Sequence, residues 1–380
     1  MGHNTLISSE RLLFGGKRMN KMLTIVIAGI VLVAGVGAAL YFLMQDSDDS
    51  EKVFYTTISP PQMRIALEGG EVDGYIAWEP YCSDSIVDGT GHALVWSGEI
   101  RNDHPCCVLL VSDDFLGSEN GPELTARFLR AHIEATDWMN DALSDKQSDN
   151  YSSLLDMAVN FTGRDRAVVA SAFDHIRFDY SISEDFYDAL AWFTESFIDI
   201  GVIDEGAMEY DNATEFVHSY VNETPLSEAL DVLPTEETVG IVRLGFLTGD
   251  MHQMAQYVAR NTTVFGAASL FEKYGVQIQQ ALGAPYSNGP TEMDNFAQGN
   301  IDIGYLGAPP AILKHINNPN VQGQIIAQAN TEGSALIVRE GIESLDDLRG
   351  KLIAIPGTGT IQYLLLQVLI RDAGMELKAA

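Results

Sequence analysis

The strongest constraint on the fold is a short pattern that occurs twice in the sequence. Gly70-Glu71-Val72-Asp73 is followed by apolar residues and Pro80, and Gly299-Asn300-Ile301-Asp302 is followed by apolar residues and Pro309. The proline stands ten positions after the first glycine in both copies. A short amphipathic helix pattern precedes each copy. The repetition predicts two related α/β lobes that face each other, although two ordinary helix–strand units would give the same spacing by coincidence.

The order of the remaining patterns also favours an α/β architecture. A mainly helical region covers 121–220, and the polar segment 224–238, with two prolines, predicts a linker. Strands are predicted at 53–58, 72–77, 108–111, 241–246, 301–306, 325–329, 335–338 and 352–355, and helices at 62–69, 186–200, 251–260, 294–298 and 361–373. Alternation of strand and helix predicts parallel sheets with crossover helices, whose ligands bind at the carboxyl ends of the strands.

An uncharged apolar run at 22–44 is long enough to cross the hydrocarbon core of a membrane. Lys17, Arg18 and Lys21 precede the run and acidic residues follow it, so a short cytoplasmic leader (1–21) and an external remainder are predicted. A cleaved signal peptide and a lipoprotein signal are the alternatives. The length of the run and its lack of cysteine favour an uncleaved anchor, with cleavage within 34–39 still open.

The charge balance limits the classes of partner. The chain has 22 Lys and Arg against 53 Asp and Glu, a formal net charge of −31, which argues against nucleic-acid binding. A hydrophobic content of 46% argues against disorder. The three cysteines form no C-x-x-C zinc pattern, and the adjacent Cys106 and Cys107 are poorly placed for a disulfide. We therefore expect three thiols, no metal site and no cofactor.

Several segments form a specific combination of motifs. They are VRLGFLTGDMHQMAQYVA, GNIDIGYLGAPPAIL, TEGSALIV and IESLDDLRGKLIAIPGTGTIQYLLL from residue 242 onwards, and PPQMRIALEGGEVDGYIAWEPY and NDHPCCVLLVSDDF before residue 117. Together these segments resemble solute-binding proteins of ABC transporters, of the nitrate/sulfonate/taurine class that also includes thiamine-precursor binders. The resemblance implies a two-lobed, periplasmic-binding-protein-like α/β fold of type II. In that fold a hinge joins the lobes, which close on a small solute.

The two halves stand in exchanged order relative to that class, so the sequence is interpreted as a circular permutation. The implied layout is an acidic spacer at 45–52, a second lobe from 53–101 plus 332–380, and a first lobe from 102–331 that contains the linker 224–238. The strand that begins at Val53 should then pair in parallel beside Leu352 to Ile355. A truncated tandem of two binding proteins and a pair of mispaired gene fragments are the alternatives.

Three loops at predicted strand ends are the main candidates for a ligand site. They consist of Thr248, Asp250, Met251 and His252, of Gly307, Ala308 and Pro309, and of Gly357, Thr358, Gly359 and Thr360. The first and third loops open helices, whose free backbone N–H groups can hold an anionic head such as a sulfonate. Ordinary helix capping accounts equally for Thr and Asp at these positions.

Further candidates flank these loops. Trp78 and Tyr81 can pack on a ligand, and Glu79 can accept a hydrogen bond from an amine, although core packing and an ordinary ion pair are the alternatives. Glu332 and Ser334 follow a strand near the expected hinge, and His104 is either a contact or a structural histidine. No Lys or Arg falls in these loops, so a zwitterion such as taurine or a neutral or cationic heterocycle fits as well as nitrate.

The expected function is capture of a small sulfonate, nitrate, taurine-like or related solute outside the cytoplasm and its delivery to an ABC-transporter permease. The N-terminal helix would tie the protein to the cell membrane. An enzyme of the related thiamine-precursor type is the first alternative, but the sequence contains no nucleophile elbow, H-E-x-x-H motif or P-loop. A receptor ectodomain is the second alternative, and its short cytoplasmic part would need a signalling partner.

Overall fold

A computed structural model describes residues 51–318 and 321–380. The predicted leader, the predicted anchor at 22–44 and most of the acidic spacer lie outside the described residues. Within the described part of the chain, no helix combines the length and apolar character needed to cross a membrane.

The described residues form two principal β-sheets and one small sheet. The strands are β1 Lys52–Thr57, β2 Gly74–Trp78, β3 His92–Trp96, β4 Cys107–Ser112, β5 Ile176–Phe178, β6 Gly240–Gly245, β7 Val276–Gln280, β8 Ile303–Gly307, β9 Gly323–Gln328, β10 Asn330–Glu332, β11 Ser334–Val338, β12 Leu352–Ile355 and β13 Glu376–Ala379. The six-stranded sheet has the order β13-β1-β12-β2-β11-β3, the five-stranded sheet has the order β7-β6-β8-β4-β9, and β10 pairs with β5.

Helices surround these sheets. They are α1 Pro60–Glu68, α2 Tyr81–Asp88, α3 Ser97–Ile100, α4 Asp113–Leu116, α5 Gly121–Ser144, α6 Asp149–Thr162, α7 Arg166–Ala172, α8 Glu184–Asp199, α9 Ala213–Tyr220, α10 Thr224–Ala229, α11 Met254–Ala259, α12 Leu270–Lys273, α13 Gly289–Ala297, α14 Ala308–Asn317 and α15 Ile361–Asp372. Short 3₁₀ helices cover Glu205–Ala207, Met251–Gln253 and Leu345–Leu348. The strands and helices bury one continuous apolar core.

The expected pairing of distant strands is confirmed. Strand β1 runs parallel to β12, with Phe54 opposite Leu352 and Tyr55 opposite Ile353. On its other edge β1 runs parallel to β13, with Val53 opposite Leu377. Segments from the beginning and the end of the described chain therefore build one sheet together.

The repeated sequence pattern occupies equivalent places in the two principal sheets. Gly70 and Gly299 both adopt positive φ, 69° and 70°, which glycine tolerates without a Cβ clash. The following aspartates act alike: Asp73 accepts a hydrogen bond from the N–H of Leu352, and Asp302 accepts one from the N–H of Arg243. The strands that follow, β2 and β8, each lie between one parallel and one antiparallel neighbour.

Both principal sheets are mixed, which corrects the expectation of parallel sheets. Strand β11 runs antiparallel to β2 and β3, and β4 runs antiparallel to β8 and β9. The physical reason is the route of the chain, because β4 and β11 are the strands by which it enters one principal sheet after leaving the other. The linker prediction is also partly wrong, since 224–238 begins with helix α10, whose Pro225 and Ala229 are buried.

Two segments connect the principal sheets, at 97–106 and 329–333, and they are hydrogen-bonded to each other. The N–H of Cys106 donates to the carbonyl of Asn330 at 3.0 Å, and the N–H of Glu332 donates to the carbonyl of His104 at 3.0 Å. The side-chain oxygen of Asn330 also accepts from the N–H of Cys107 at 2.9 Å. The crossing between the sheets is therefore a paired two-segment connection.

Candidate functional site

A cavity lies where loops of the two principal sheets meet. Its lining residues are Trp78, Cys106, Cys107, Leu247, Asp250, His252, Gly289, Gly307, Pro310, Thr360, Ile361 and Gln362. Trp78, at the end of β2, and the start of α15 belong to the six-stranded sheet, whereas Gly307 ends β8 of the five-stranded sheet. The free volume is ≈ 20 Å³, which holds about one water molecule. In this arrangement the cavity is closed to a larger solute.

The loop after β6 supplies the most polar side chains of the cavity. Asp250 is 1% exposed, and its carboxylate accepts hydrogen bonds from the N–H of His252 at 3.0 Å and from Nε2 of Gln253 at 3.1 Å. Burial raises the pKa of Asp250 to about 7, although His252 acts in the opposite direction. The carboxyl group is thus held in place by residues of its own loop, and Asp250 also lines the cavity.

Two adjacent thiols lie beside this loop. The Nδ1 atom of His252 is 3.2 Å from Sγ of Cys106, and its Nε2 atom is 3.0 Å from the carbonyl oxygen of Gly333. The Sγ atom of Cys107 lies 3.7 Å from Oδ2 of Asp250. All three cysteines of the chain are free thiols and buried, as the sequence predicted.

The charges of this group depend on one another. A hydrogen bond from Cys107 holds the pKa of the Cys106 thiol well below its ordinary value, and His252 acts in the same direction against burial. Burial raises the pKa of Cys107 well above its ordinary value. Burial disfavours the charged form of His252, but Cys106 and Asp250 outweigh it and raise the His252 pKa to about 9. The arrangement favours a thiolate at Cys106 beside an imidazolium at His252.

The six-stranded sheet contributes an aromatic wall. Trp78 is 4% exposed, and its indole N–H has no hydrogen-bond partner although it is buried. The ring of Trp78 meets Tyr81 edge to face, with centroids 5.8 Å apart. A buried donor without a partner costs free energy, so a ligand that accepts from this N–H would be stabilised.

The start of helix α15 forms the remaining wall. Thr360 is the N-cap; its hydroxyl accepts from the N–H of Tyr363 and donates to the carbonyl of Gly357. Nε2 of Gln362 donates to the hydroxyl of Ser334 at 2.9 Å, which fixes the side chain of Gln362 at the cavity. The first turn of a helix has backbone N–H groups without helical partners, so this wall has a positive electrostatic potential.

Five of the residues predicted for the ligand site line the cavity: Trp78, Asp250, His252, Gly307 and Thr360. The others lie around it or outside it: Glu79, Tyr81, His104, Thr248, Met251, Ala308, Pro309, Glu332, Ser334, Gly357, Thr358 and Gly359. Thr248 and Thr358 are exposed.

Several of these outer residues have structural partners that explain their position. The carboxylate of Glu79 accepts from the N–H and hydroxyl of Ser83, both at 2.9 Å, and burial raises the pKa of Glu79 to about 7. The hydroxyl of Tyr81 donates to the carbonyl of Thr248 at 2.7 Å, which joins α2 to the loop after β6. The carboxylate of Glu332 accepts from the N–H of Asp103 within the crossing connection.

Three backbone amides of the loop after β6 are already used within the protein. The N–H of Met251 donates to the carbonyl of Glu79, the N–H of Thr248 donates to the carbonyl of Tyr286, and the N–H of His252 donates to Asp250. At these three positions the expected free amides are therefore not present, and Asp250 and His252 contribute their side chains to the cavity.

Sequence reasoning missed Cys106, Cys107 and most of the apolar residues that line the cavity. The sequence predicts Cys106 and Cys107 to be unpaired thiols with no place in the ligand site, although two adjacent thiols directly after His104-Pro105 also form a donor pair. Gly289 has a weaker signal, because it follows Asn288 and precedes Pro290 at a helix start. Leu247, Pro310, Ile361 and Gln362 resemble ordinary core or helix residues and give no such signal.

Comparison with known proteins connects the chain with binding proteins. Residues 36–153 match the NMT1-like family. A "Putative binding protein" of Brucella abortus is 31% identical over 118 residues, which make up 30% of this chain and 34% of that protein. The match therefore spans about a third of the length of that relative.

Two further relatives have names that state a solute. The nitrate/nitrite binding protein of Nostoc sp. is 27% identical over 92 residues, 24% of this chain and 20% of that protein. The "Putative aliphatic sulfonates-binding protein" of Bacillus subtilis is 32% identical over 100 residues, 26% of this chain and 29% of that protein. These two relatives are thus named as binding proteins for nitrate and nitrite and for aliphatic sulfonates.

Proposed function

We propose that this protein is an extracytoplasmic solute-binding protein of an ABC importer, which captures a small solute between two lobes. The observation that supports this most directly is the position of the cavity. It lies at the strand ends of two equivalent sheets, with side chains from both. In α/β proteins ligands bind at such strand ends, and the matched relatives are binding proteins.

The two lobes of this proposal are built around the two principal sheets. The second lobe, 53–101 plus 332–380, contains the six-stranded sheet, and the first lobe, 102–331, contains the five-stranded sheet. The paired segments at 97–106 and 329–333 are the hinge. Because the closed cavity holds about one water molecule, a solute enters only after these segments let the lobes separate.

The cavity lining favours a zwitterionic or neutral solute over nitrate. No Lys or Arg is among the lining residues, and the one charged side chain apart from the Cys106–His252 group is the carboxyl of Asp250. Trp78 offers an N–H donor, and the first turn of α15 offers a positive helix end. A taurine-like molecule fits this lining, because its sulfonate can lie toward the positive helix end of α15 and its ammonium toward the carboxyl group of Asp250.

The partners and location follow from the same proposal. A loaded binding protein delivers its solute to a permease, and the apolar run at 22–44 would anchor this one at the outer face of the cell membrane. The exchanged order of the halves is proposed to be a circular permutation of a single binding protein. The parallel pairing of β1 with β12 supports one lobe built from both chain ends.

Thermal unfolding of the full-length chain with a solute panel tests the proposal. The panel contains taurine, alkanesulfonates, nitrate, bicarbonate and thiamine precursors. One compound should raise the melting temperature, because a ligand that binds only the folded state stabilises it. Turnover of any of these compounds without a shift would instead favour the enzyme alternative.

A pair of tryptophan variants tests whether the solute that raises the melting temperature binds in the cavity. Trp78→Phe keeps an aromatic ring but removes the unpartnered N–H, and should weaken the identified ligand about fivefold to tenfold. Trp96→Phe is the matched control, because Trp96 stacks on His175 away from the cavity lining. Equal affinity in both variants would contradict the assignment of the cavity.

A further inference from the structure

We propose that Cys106, Cys107 and His252 form a binding site for a borderline-soft divalent cation of the zinc(II) class. One possible donor atom from each residue lies within 4.8 Å of the other two, and all three residues are buried. A tetrahedral zinc ion with Zn–S of about 2.3 Å and Zn–N of about 2.0 Å places its donors about 3.5 to 3.8 Å apart. Zinc binding therefore shortens a separation between two of these donors by at most about 1.3 Å.

The surroundings of His252 are those of a metal-bound imidazole. Its Nε2 atom is 3.0 Å from the carbonyl oxygen of Gly333, so it can donate there and leave Nδ1 directed at Cys106. Such a second hydrogen bond fixes the tautomer and the orientation of a metal-binding histidine. Gly333 permits the contact, because a Cβ atom at this position would lie 2.3 Å from Nε2.

The donor set selects the class of cation. Two thiolates and one imidazole suit zinc(II) and similar ions, whereas calcium and magnesium require oxygen donors. The carboxyl group of Asp250 lies outside the triad, with Oδ2 at 3.7 Å from Sγ of Cys107. All three donor residues also line the cavity, which has room for about one water molecule as a fourth ligand.

Binding of the ion requires a defined release of protons. If Cys106 is a thiolate and His252 an imidazolium, zinc displaces one proton from His252 and one from the thiol of Cys107. If both cysteines are thiols and His252 is neutral, zinc displaces one proton from each thiol. Two protons leave for each bound ion in either case, and no oxidant or reductant is needed.

The inference does not depend on the proposed solute and is tested with metal alone. The full-length chain is reduced, stripped with a chelator and titrated with Co²⁺ and then with Zn²⁺. We expect one ion per chain, with a near-ultraviolet band from thiolate-to-cobalt charge transfer that zinc abolishes. Calorimetry in two buffers of different ionisation enthalpy should give two protons released per zinc.

Three cysteine variants identify the ligands. Cys106→Ser and Cys107→Ser should each weaken zinc at least about 100-fold, since even loss of a second-shell partner costs about 10- to 100-fold. Cys82→Ser is the matched control, because Cys82 is also buried and free but bonds to the carbonyl of Ala77. It should bind zinc like the unmodified chain.

Two results would contradict the proposed metal site. One is the absence of the charge-transfer band in the reduced unmodified chain, and the other is equal zinc affinity in all three variants. Zinc held by the acidic surface would bind without that band. Because the cobalt spectrum is recorded on the unmodified chain, the test remains decisive if a variant fails to fold. A solute-induced melting shift without zinc binding would remove the metal site and leave the proposed function intact.

Discussion

The loop after β6 and the loop after β12 occupy equivalent places in the two principal sheets, yet they contribute to the cavity in opposite ways. The first, residues 248–252, brings the side chains of Asp250 and His252 to the wall, while the N–H groups of Thr248, Met251 and His252 donate to other acceptors in the protein. The second, residues 357–360, brings Thr360, whose hydroxyl is used for helix capping, and leads into Ile361 and Gln362. Loops at equivalent places therefore supply side-chain chemistry in one sheet and a helix end in the other.

This difference has a physical origin in the helices that follow. The loop after β6 enters a three-residue 3₁₀ helix, Met251–Gln253, and its N–H groups find partners in Glu79 and Asp250. The loop after β12 enters the twelve-residue helix α15, whose dipole is concentrated at its first turn. Helix length and local partners decide which loop presents its backbone to a ligand.

The largest expected effect comes from Glu79, whose carbonyl receives the N–H of Met251 from the loop after β6. Burial raises the Glu79 pKa from 4.5 to about 7. Between these pH values the folded state keeps a proton that the unfolded state has lost, so the free energy of unfolding falls as pH rises. The loss amounts to about 3 kcal/mol for this group.

Glu79→Gln removes that titration and keeps the shape of the side chain. Urea unfolding of both proteins at about pH 4 and about pH 8 should show the unmodified chain losing about 3 kcal/mol more than the variant. An identical change with pH in the two proteins would show that Glu79 does not titrate in this range.

The next largest effect is expected at Asp250 and tests whether side chains hold the loop after β6. Asp250→Ala removes the acceptor of two buried donors, the N–H of His252 and Nε2 of Gln253. Because buried donors without partners are unfavourable, the free energy of unfolding should fall by about 2 kcal/mol. Urea denaturation measures the loss, and Asp250→Asn, which keeps one acceptor oxygen, should lose less. Equal stability of Asp250→Ala and the unmodified chain would mean that this loop is not held by its own side chain.

The smallest effect belongs to the loop after β12. Thr360→Ala removes the N-cap of α15 and should cost about 1 kcal/mol. The exposed Thr358 gives the control, since Thr358→Ala should change stability by less than about 0.5 kcal/mol. A larger loss in Thr358→Ala than in Thr360→Ala, measured by thermal unfolding, would reverse the assignment of the cap.

The repeated pattern could be predicted because it has a local signal, since Gly70 and Gly299 mark the same backbone turn. The pairing of β1 with β12 has no local signal, and it could be predicted only from the exchanged order of the two halves relative to the class that the sequence resembles. The antiparallel directions of β4 and β11 could not be predicted, because direction depends on the route between the sheets. The buried side of α10 was hidden by the polar composition of 224–238.

The site was less predictable than the fold because its residues meet only in three dimensions. Cys106 and His252 are 146 positions apart in sequence, so their contact leaves no spacing motif. Trp78 and Asp250 could be predicted because Trp78 ends a strand and Asp250 lies in the loop that follows one. Gln362 reaches the cavity only because Ser334 holds it, and such a side-chain contact has no signature in a single sequence.

The place of β1 has a consequence for the order in which the protein can be completed during synthesis. This strand emerges from the ribosome before both of its partners, β12 and β13, which follow it by about 300 positions in the chain. Until those strands are made both of its edges are open to other chains, a condition that favours aggregation of a nascent polypeptide. Early binding of a chaperone near residues 52–57 would protect these edges until β12 and β13 have been made.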